Sequence, residues 1–142
     1  MKDKMKKFLT LCIILSIAFC WVQSAVPSAG SQAESDFICG LLGGIIGGNL
    51  LRKIAHFTEY GIVAFFLALY FVKYKEITVK KTVNLFLTGL VVAFIDETIQ
   101  LFSGRGAQIS DVWIDFAGFF AVATAVHLIW LTARNKASKT EK

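Results

Sequence analysis

Ionisable and polar side chains recur at helical spacing in three short stretches of an otherwise apolar sequence: RKIAHFTEYG, DETIQLF and DVWIDFAG. Residues three or four apart lie on one face of an α-helix, so each stretch would present its polar groups on one side. The candidate site residues are Lys53, His56, Glu59, Tyr60, Asp96, Glu97, Gln100, Arg105, Asp111 and Asp115. Carboxylates, an imidazole and cations together can recognise an anion, hold a cation or transfer protons.

The composition shows what kind of molecule must position these groups. The 142 residues are 56% hydrophobic and 18% charged, include 13 Phe, and have a mean hydropathy of +0.63. A soluble protein of this size must cover much of its surface with polar groups, whereas a bilayer removes that demand. We therefore expect a single membrane domain over residues 1–142.

Four apolar segments are long enough to cross a bilayer as helices, which takes about 20 residues. They are 8–26, 54–72, 82–102 and 111–131, and a shorter apolar segment occupies 37–51. Single strands cannot satisfy their backbone hydrogen bonds in lipid. The sequence therefore predicts an all-α integral membrane protein, a bundle of about four transmembrane helices plus a short Gly-rich interfacial or re-entrant helix.

The glycines of the short segment recur at every fourth residue, at Gly40, Gly44 and Gly48. Such spacing lines one helix face with hydrogen atoms and lets another helix approach closely. A phosphate-binding loop is not expected, because no Lys-Ser or Lys-Thr follows these glycines. The sequence therefore predicts a packing role for them.

The distribution of basic residues predicts the orientation in the membrane. Twelve of the 15 precede the first span, lie between the second and third, or follow the fourth. The remaining three are Arg52, Lys53 and Arg105. By the positive-inside tendency, we expect a multi-pass protein of the cell membrane with both termini cytoplasmic. The basic residues then face an anionic leaflet and imply no nucleic-acid partner.

The first apolar segment has a second interpretation. Its basic start, apolar middle and the sequence VQSA also fit a cleavable signal peptide of about 25 residues. The length of the apolar run and the position of Trp21 favour a retained span. Because two of the three cysteines lie in this segment, a disulfide framework is not expected.

The polar stretches should meet at one depth of the membrane. At 1.5 Å per residue, Asp96 lies roughly 9 Å inside the end of its helix and Asp115 roughly 6 Å inside its own. Carboxylates facing lipid are costly, so these should face each other and Arg105, which lies between two glycines in a short loop. The sequence predicts an outward-opening polar pocket; the alternative is an ion-pair cluster that only holds the bundle together.

Three motifs resemble the VanZ-like family of small bacterial membrane proteins, whose pattern contains Lys-x-x-His-x-x-x-Tyr, Glu-x-x-Gln-x-x-x-x-Arg and Asp-x-x-x-Asn-x-x-Gly. The matching residues are Lys53, His56, Tyr60, Glu97, Gln100, Arg105, Asp111 and Gly118. The resemblance extends over residues 21–118. Asp115 stands where the family pattern has Asn, which adds a negative charge to the pocket.

Two classes of function follow. The resemblance implies an effect on susceptibility to teicoplanin-type glycopeptides, and the pocket suits membrane lipids or a lipid-linked envelope ligand, with no cofactor or metal. Arg105 with Lys53 would recognise a phosphate or carboxylate. The alternative is an intramembrane enzyme. It would use Glu97 and His56 as acid and base, or a metal ion held by His56, Glu59, Asp96 and Asp111.

The charge balance of the cluster sets one further expectation. Asp96, Glu97, Asp111 and Asp115 would bring four carboxylates to one level, and like charges at short range in a low dielectric are unfavourable. At least one carboxyl should hold a proton, or the cluster should hold a cation. Asp115 is the expected proton holder, because it replaces a neutral amide.

The predicted orientation can be tested by cysteine labelling. With the native cysteines replaced, a Cys introduced in place of Arg105 should react with a membrane-impermeant thiol reagent in intact cells, because this loop is expected outside. Labelling that requires cell lysis would reverse the orientation.

Overall fold

The computed structural model describes residues 2–41, 47–75, 77–106 and 108–140. Within these ranges the chain forms five α-helices and no strand. The helices are α1 (Lys2–Ala25), α2 (Ser28–Leu41), α3 (Gly48–Tyr74), α4 (Val79–Phe102) and α5 (Ile109–Thr140). All but α2 are long and apolar enough to span a membrane. The predicted fold class, an all-α bundle of four spanning helices and one shorter helix, is confirmed.

Each spanning helix is longer than its apolar segment, because the polar residues at its ends continue the helix. Helix α1 already includes the basic residues from Lys2 onward, and α5 continues through Arg134, Lys136 and Lys139. Helix α4 begins with a side-chain cap, in which the Thr78 hydroxyl accepts a hydrogen bond from the backbone N–H of Lys81 at 3.3 Å.

The short helix differs from its prediction in position. Residues 37–41 form the end of α2, 48–51 form the start of α3, and 42–46 lie outside the described residues. Helix α2 begins much earlier than predicted, because the carbonyl of Pro27 accepts hydrogen bonds from the N–H groups of Gly30 and Ser31. Proline, which has no N–H to leave unsatisfied, is well suited to a helix start. The polar stretch before residue 37 is therefore helical.

Helix α3 lies at the centre of the bundle and contacts each of the other four helices, most extensively α5. Its buried face is formed by Tyr60 and small residues, including Ala64 and Ala68, and packs against Phe119 and Ala123 of α5. Large apolar side chains on the opposite faces of the helices are exposed, as expected for contact with lipid chains.

Glycines in the spanning helices, rather than those near residue 40, allow the closest helix contacts. A Cβ atom added to Gly118 of α5 would overlap the backbone carbonyl of Phe57 in α3. Among the described residues Gly40 makes no such close contact, since beyond its own helix backbone none of their atoms lies within 4 Å of a Cβ added there. Gly48 does lie close to a neighbour, with Ser35 Cβ at 3.6 Å from its added Cβ, and Gly44 falls outside the described residues.

The Gly118 contact predicts a large effect of a single methyl group. Gly118→Ala should destabilise the protein by about 1–3 kcal/mol or prevent its accumulation, because a backbone carbonyl cannot rotate away as a side chain does. The measurement is the thermal unfolding temperature in detergent. Gly40→Ala is the matched control, since it adds the same methyl group to a helix without a clash, and should unfold at or above the wild-type temperature. Equal unfolding temperatures for the two variants would contradict the tight α3–α5 contact.

Candidate polar binding site

Asp96 on α4 is a fully enclosed carboxylate of the site, with 0% of its surface exposed. Its Oδ2 accepts a hydrogen bond from the Ser24 hydroxyl of α1 at 2.7 Å and one from Gln100 Nε2 at 3.0 Å. The Ser103 hydroxyl lies 2.9 Å from the Ser24 backbone carbonyl, to which it can donate. The end of α1 is therefore joined to the end of α4 through polar contacts.

His56 on α3 and Asp115 on α5 form the one ion pair within the described ranges, with Nδ1 and Oδ1 3.4 Å apart. Asp115 is 0% exposed, whereas His56 retains a small exposed area. One ligand-type atom from each of His56, Asp96 and Asp115 lies within 4.8 Å of the others. Three helices thus converge on a single buried cluster, as the sequence predicted for their polar faces.

Arg105 lies in the loop between α4 and α5 and is folded back onto the end of α1. The loop turns at Gly104, whose φ of 73° is readily adopted only by glycine. Arg105 N–H donates to the Gln100 carbonyl at 3.1 Å, and its Nη1 donates to the Gln23 carbonyl at 3.0 Å. Burial lowers the pKa of Arg105, and the positive charge of Arg52 lowers it further.

The neighbouring Gly106 is exposed and is the more accessible position for thiol labelling.

Glu97 and Asp111 belong to the α4–α5 connection. Glu97 Oε2 accepts a hydrogen bond from the backbone N–H of Gln108 at 3.0 Å, and Glu97 lines a crevice between α4 and α5. Asp111 is buried, and Ser110 Oγ lies 3.3 Å from its Oδ1. The acid/base pair of Glu97 with His56 is therefore not formed, because the carboxylate holds the loop and the imidazole faces Asp115.

Two adjacent cavities lie beside the cluster and share the lining residues Ser31, Ser35, Arg52 and Arg105. The outer cavity has a volume of about 320 Å³ and the inner one about 170 Å³. The inner cavity reaches His56 and Glu59. Helix α2 supplies one wall of both, so the polar stretch after Pro27 belongs to the site.

Sequence reasoning missed Arg52 and the α2 residues of these cavities. The signal was present, since Ser28, Ser31, Gln32 and Ser35 follow the three-and-four spacing of a helix face. Hydropathy gives no signal for this stretch, because its residues are mostly polar.

Two predicted site residues lie elsewhere. Tyr60 is fully buried in the core, and its hydroxyl donates to the Val92 carbonyl of α4 at 3.3 Å. Lys53 is half-buried and is not among the residues that line the two polar cavities. The cation beside Arg105 is thus Arg52, the residue before Lys53 in the sequence.

The contacts do not have the form of an ion-pair lock. Where the structure describes the chain, no Lys or Arg nitrogen lies within 4.0 Å of a carboxylate of the cluster. The hydrogen bonds to Asp96 come from Ser24 and Gln100, and the hydrogen bond to Glu97 comes from a backbone N–H. The cations are therefore left to face the cavities.

The bond from Ser24 to Asp96 predicts a specific loss of stability. Ser24→Ala removes a donor from a buried carboxylate, which should cost about 1–3 kcal/mol and lower the unfolding temperature in detergent. Ser16→Ala is the control on the same helix, because the Ser16 hydroxyl donates to the Ile13 carbonyl of its own helix. If both variants unfold at the wild-type temperature, the α1–α4 contact does not stabilise the bundle.

Comparison with known proteins agrees with the motifs. The sequence model of the VanZ/LLP1 family matches residues 48–131, from the start of α3 into the last turns of the apolar part of α5. No curated protein and no solved structure matches the chain significantly. The match covers more than half of the chain and includes His56, Arg105 and the α4–α5 loop. This multi-pass membrane protein therefore belongs to the VanZ/LLP1 family.

Proposed function

We propose that this protein binds a cell-envelope lipid by its phosphate-containing headgroup, in the polar cavities that Arg52 and Arg105 line. The observation that carries the proposal is the position of Glu59. This residue lines both the inner polar cavity and an apolar groove between α1 and α3. A headgroup site that continues into a lipid-facing groove suits a ligand with a polar end and a hydrocarbon chain.

The polar end of the site has the chemistry of a phosphate-binding pocket. Guanidinium groups form charge-assisted, often paired hydrogen bonds with phosphate oxygens, and two of them line the same cavity here. The Ser31 and Ser35 residues add hydroxyl groups. Acidic residues also line the cavities, among them Glu34 and Glu59, and they suit the hydroxyl or amine groups of a headgroup.

The apolar end offers room for hydrocarbon. The groove between α1 and α3 has a volume of about 310 Å³ and is lined by Leu15, Phe19, Ile62 and Phe66 among others. A second apolar groove of about 430 Å³ shares Ile62 and Phe66 with it. Two adjacent grooves fit a lipid with two chains as well as one with a single long chain.

In the predicted orientation the headgroup site faces the outside of the cell membrane. A protein that sequesters or presents a phosphate-bearing envelope lipid there would affect agents that act on the envelope, and we propose an altered susceptibility to teicoplanin-type glycopeptides on this basis. The site gives less support to acid/base catalysis, because His56 on α3 and Glu97 on α4 line different cavities.

The proposal predicts that binding depends on both arginines and on the phosphate. Arg52→Ala and Arg105→Ala should each weaken binding of phosphatidylglycerol to the detergent-purified protein about tenfold or more, the equivalent of at least one charge-assisted hydrogen bond. Arg52→Ala is the cleaner variant, since among the described residues the Arg52 side chain bonds only to Asn49 of its own helix, at 3.4 Å. Arg134→Ala removes the same charge at the opposite end of the bundle, where Arg134 lies over Trp130, and should bind normally.

Diacylglycerol with the same chains serves as the ligand control, and polyprenyl phosphate tests a single-chain ligand. Diacylglycerol should bind at least tenfold more weakly, because it lacks the phosphate. Equal binding of phosphatidylglycerol and diacylglycerol, or unchanged binding by the two arginine variants, would refute the headgroup site. Preference for polyprenyl phosphate over phosphatidylglycerol would identify the single-chain class.

A further inference from the structure

We infer that His56, Asp96 and Asp115 bind a divalent transition-metal ion, Zn²⁺ or Mn²⁺, beside the inner polar cavity. The three residues come from α3, α4 and α5, and their ligand-type atoms lie within 4.8 Å of one another. One of these separations, between His56 Nδ1 and Asp115 Oδ1, is 3.4 Å. Two ligand atoms of a tetrahedral ion with bonds of about 2.0–2.1 Å lie about 3.3 Å apart, so this pair already has the required spacing.

The hydrogen-bonding state of the cluster points to a missing partner. Asp96 Oδ1 and Asp115 Oδ2 are buried and have no hydrogen-bond partner within the described part of the chain. His56 Nδ1 and Asp115 Oδ1 are also buried, and although they lie 3.4 Å apart they do not form a well-directed hydrogen bond. Buried polar atoms are nearly always satisfied, and a carboxylate deprived of water is among the most costly to leave unsatisfied. These atoms belong to the same three residues that converge. A single metal ion bound by the three residues would explain both their convergence and the missing hydrogen bonds.

The chemistry of the donor set selects the ion. One imidazole nitrogen with two carboxylate oxygens suits Zn²⁺ and Mn²⁺, whereas Mg²⁺ and Ca²⁺ prefer oxygen ligands alone. The second oxygen of Asp96 accepts hydrogen bonds from Ser24 and Gln100, which hold the carboxylate in place. Ligating carboxylates are commonly fixed by such outer donors.

The charges of the cluster favour the same conclusion. A divalent cation with a neutral imidazole balances the two buried carboxylates, whereas a protonated His56 balances only one. No other protein cation is bonded to these carboxylates in the described ranges, since the Arg105 guanidinium donates to the Gln23 carbonyl. Asp115 supplies the second negative charge, and it stands where the family pattern has Asn. The proposed ligand set therefore depends on a residue in which this chain differs from the family pattern.

The ion would remain accessible from one side. His56 lines the inner cavity together with Glu59 and Arg105, so a coordination position is open towards the space in which the proposed headgroup lies. The inference itself does not depend on lipid binding, because the ligands are the protein's own side chains. This set differs from the set that the sequence suggested, in which Glu59 and Asp111 stood in place of Asp115.

The test is the metal content of the detergent-purified full chain, free of any affinity tag, after removal of metals with a chelator, incubation with Zn²⁺ or Mn²⁺, and desalting. Wild type should retain about one ion per chain. Asp115→Asn and His56→Gln, which keep nearly the same shape, should each retain at most a tenth of that. His127→Gln is the control, because His127 is a buried histidine near the opposite end of α5 and lies against Phe71.

Thermal unfolding provides the second readout and shows whether each variant is folded. The metal ion should raise the unfolding temperature of wild type and of His127→Gln but not that of Asp115→Asn. In the presence of chelator, the unfolding temperature of Asp115→Asn should be equal to or higher than that of wild type. The substitution removes a buried negative charge that is left unbalanced when no metal ion is bound.

A wild-type protein that retains no ion, or an Asp115→Asn variant that retains as much as wild type, would overturn the inference. Failure of the lipid proposal is separable, since Arg52→Ala should lose lipid binding and keep its metal ion.

Discussion

The main constraint on this structure is that its buried carboxylates, which have no contact with water, need hydrogen-bonding or charged partners within the protein. Asp96 and Asp115 have no exposed surface, and in a bilayer there is no solvent to replace missing partners. Asp96 obtains donors from α1 and from its own helix, and Asp115 faces the imidazole of His56 on α3. These requirements fix the relative positions of four spanning helices at one end of the bundle. Small residues and close glycine contacts then govern the packing in the rest of the bundle.

The separation of charges explains how one small bundle can combine a buried cluster with an open cavity. The carboxylates are held by hydroxyl, amide, imidazole and backbone groups. The guanidinium groups of Arg52 and Arg105 therefore form no ion pair with these carboxylates, and both residues line the outer polar cavity beside α2. If the same arginines formed salt bridges with the carboxylates, they would not be free to bind a ligand.

Much of this arrangement could be predicted from the sequence, because hydropathy and helical spacing are local properties. They correctly gave the spanning helices, and they placed His56, Asp96 and Asp115 on faces that converge. Spacing could not distinguish Arg52 from Lys53, since adjacent residues differ by about 100° around a helix and only the packed neighbours decide which one faces the cavity. Nor could helical spacing show that Tyr60 packs in the core. A tyrosine has both an apolar ring and a polar hydroxyl, so its residue type fits a core position as well as a polar site.

The misplacement of the short helix had a different physical cause. Apolar content predicts a helix at 37–51 and gives no such prediction for the serine-rich residues before it. Helix formation needs only backbone hydrogen bonds and a suitable start, and Pro27 provides that start. A helix that forms a cavity wall rather than core has no buried residue, as α2 does not, and hydropathy gives it no signal.

The bond between Ser24 and Asp96 also bears on the order in which the protein can be completed during synthesis. The two residues are 72 positions apart, and Asp115 follows later still. When α1 enters the membrane, neither its carboxylate partner nor the helix that carries it has yet been made. Synthesis therefore produces His56 and Asp96 before Asp115, so these earlier ionisable side chains are made without all of their eventual neighbours. The polar site is assembled only after the last span arrives, so biogenesis passes through intermediates whose charged groups are still unmatched.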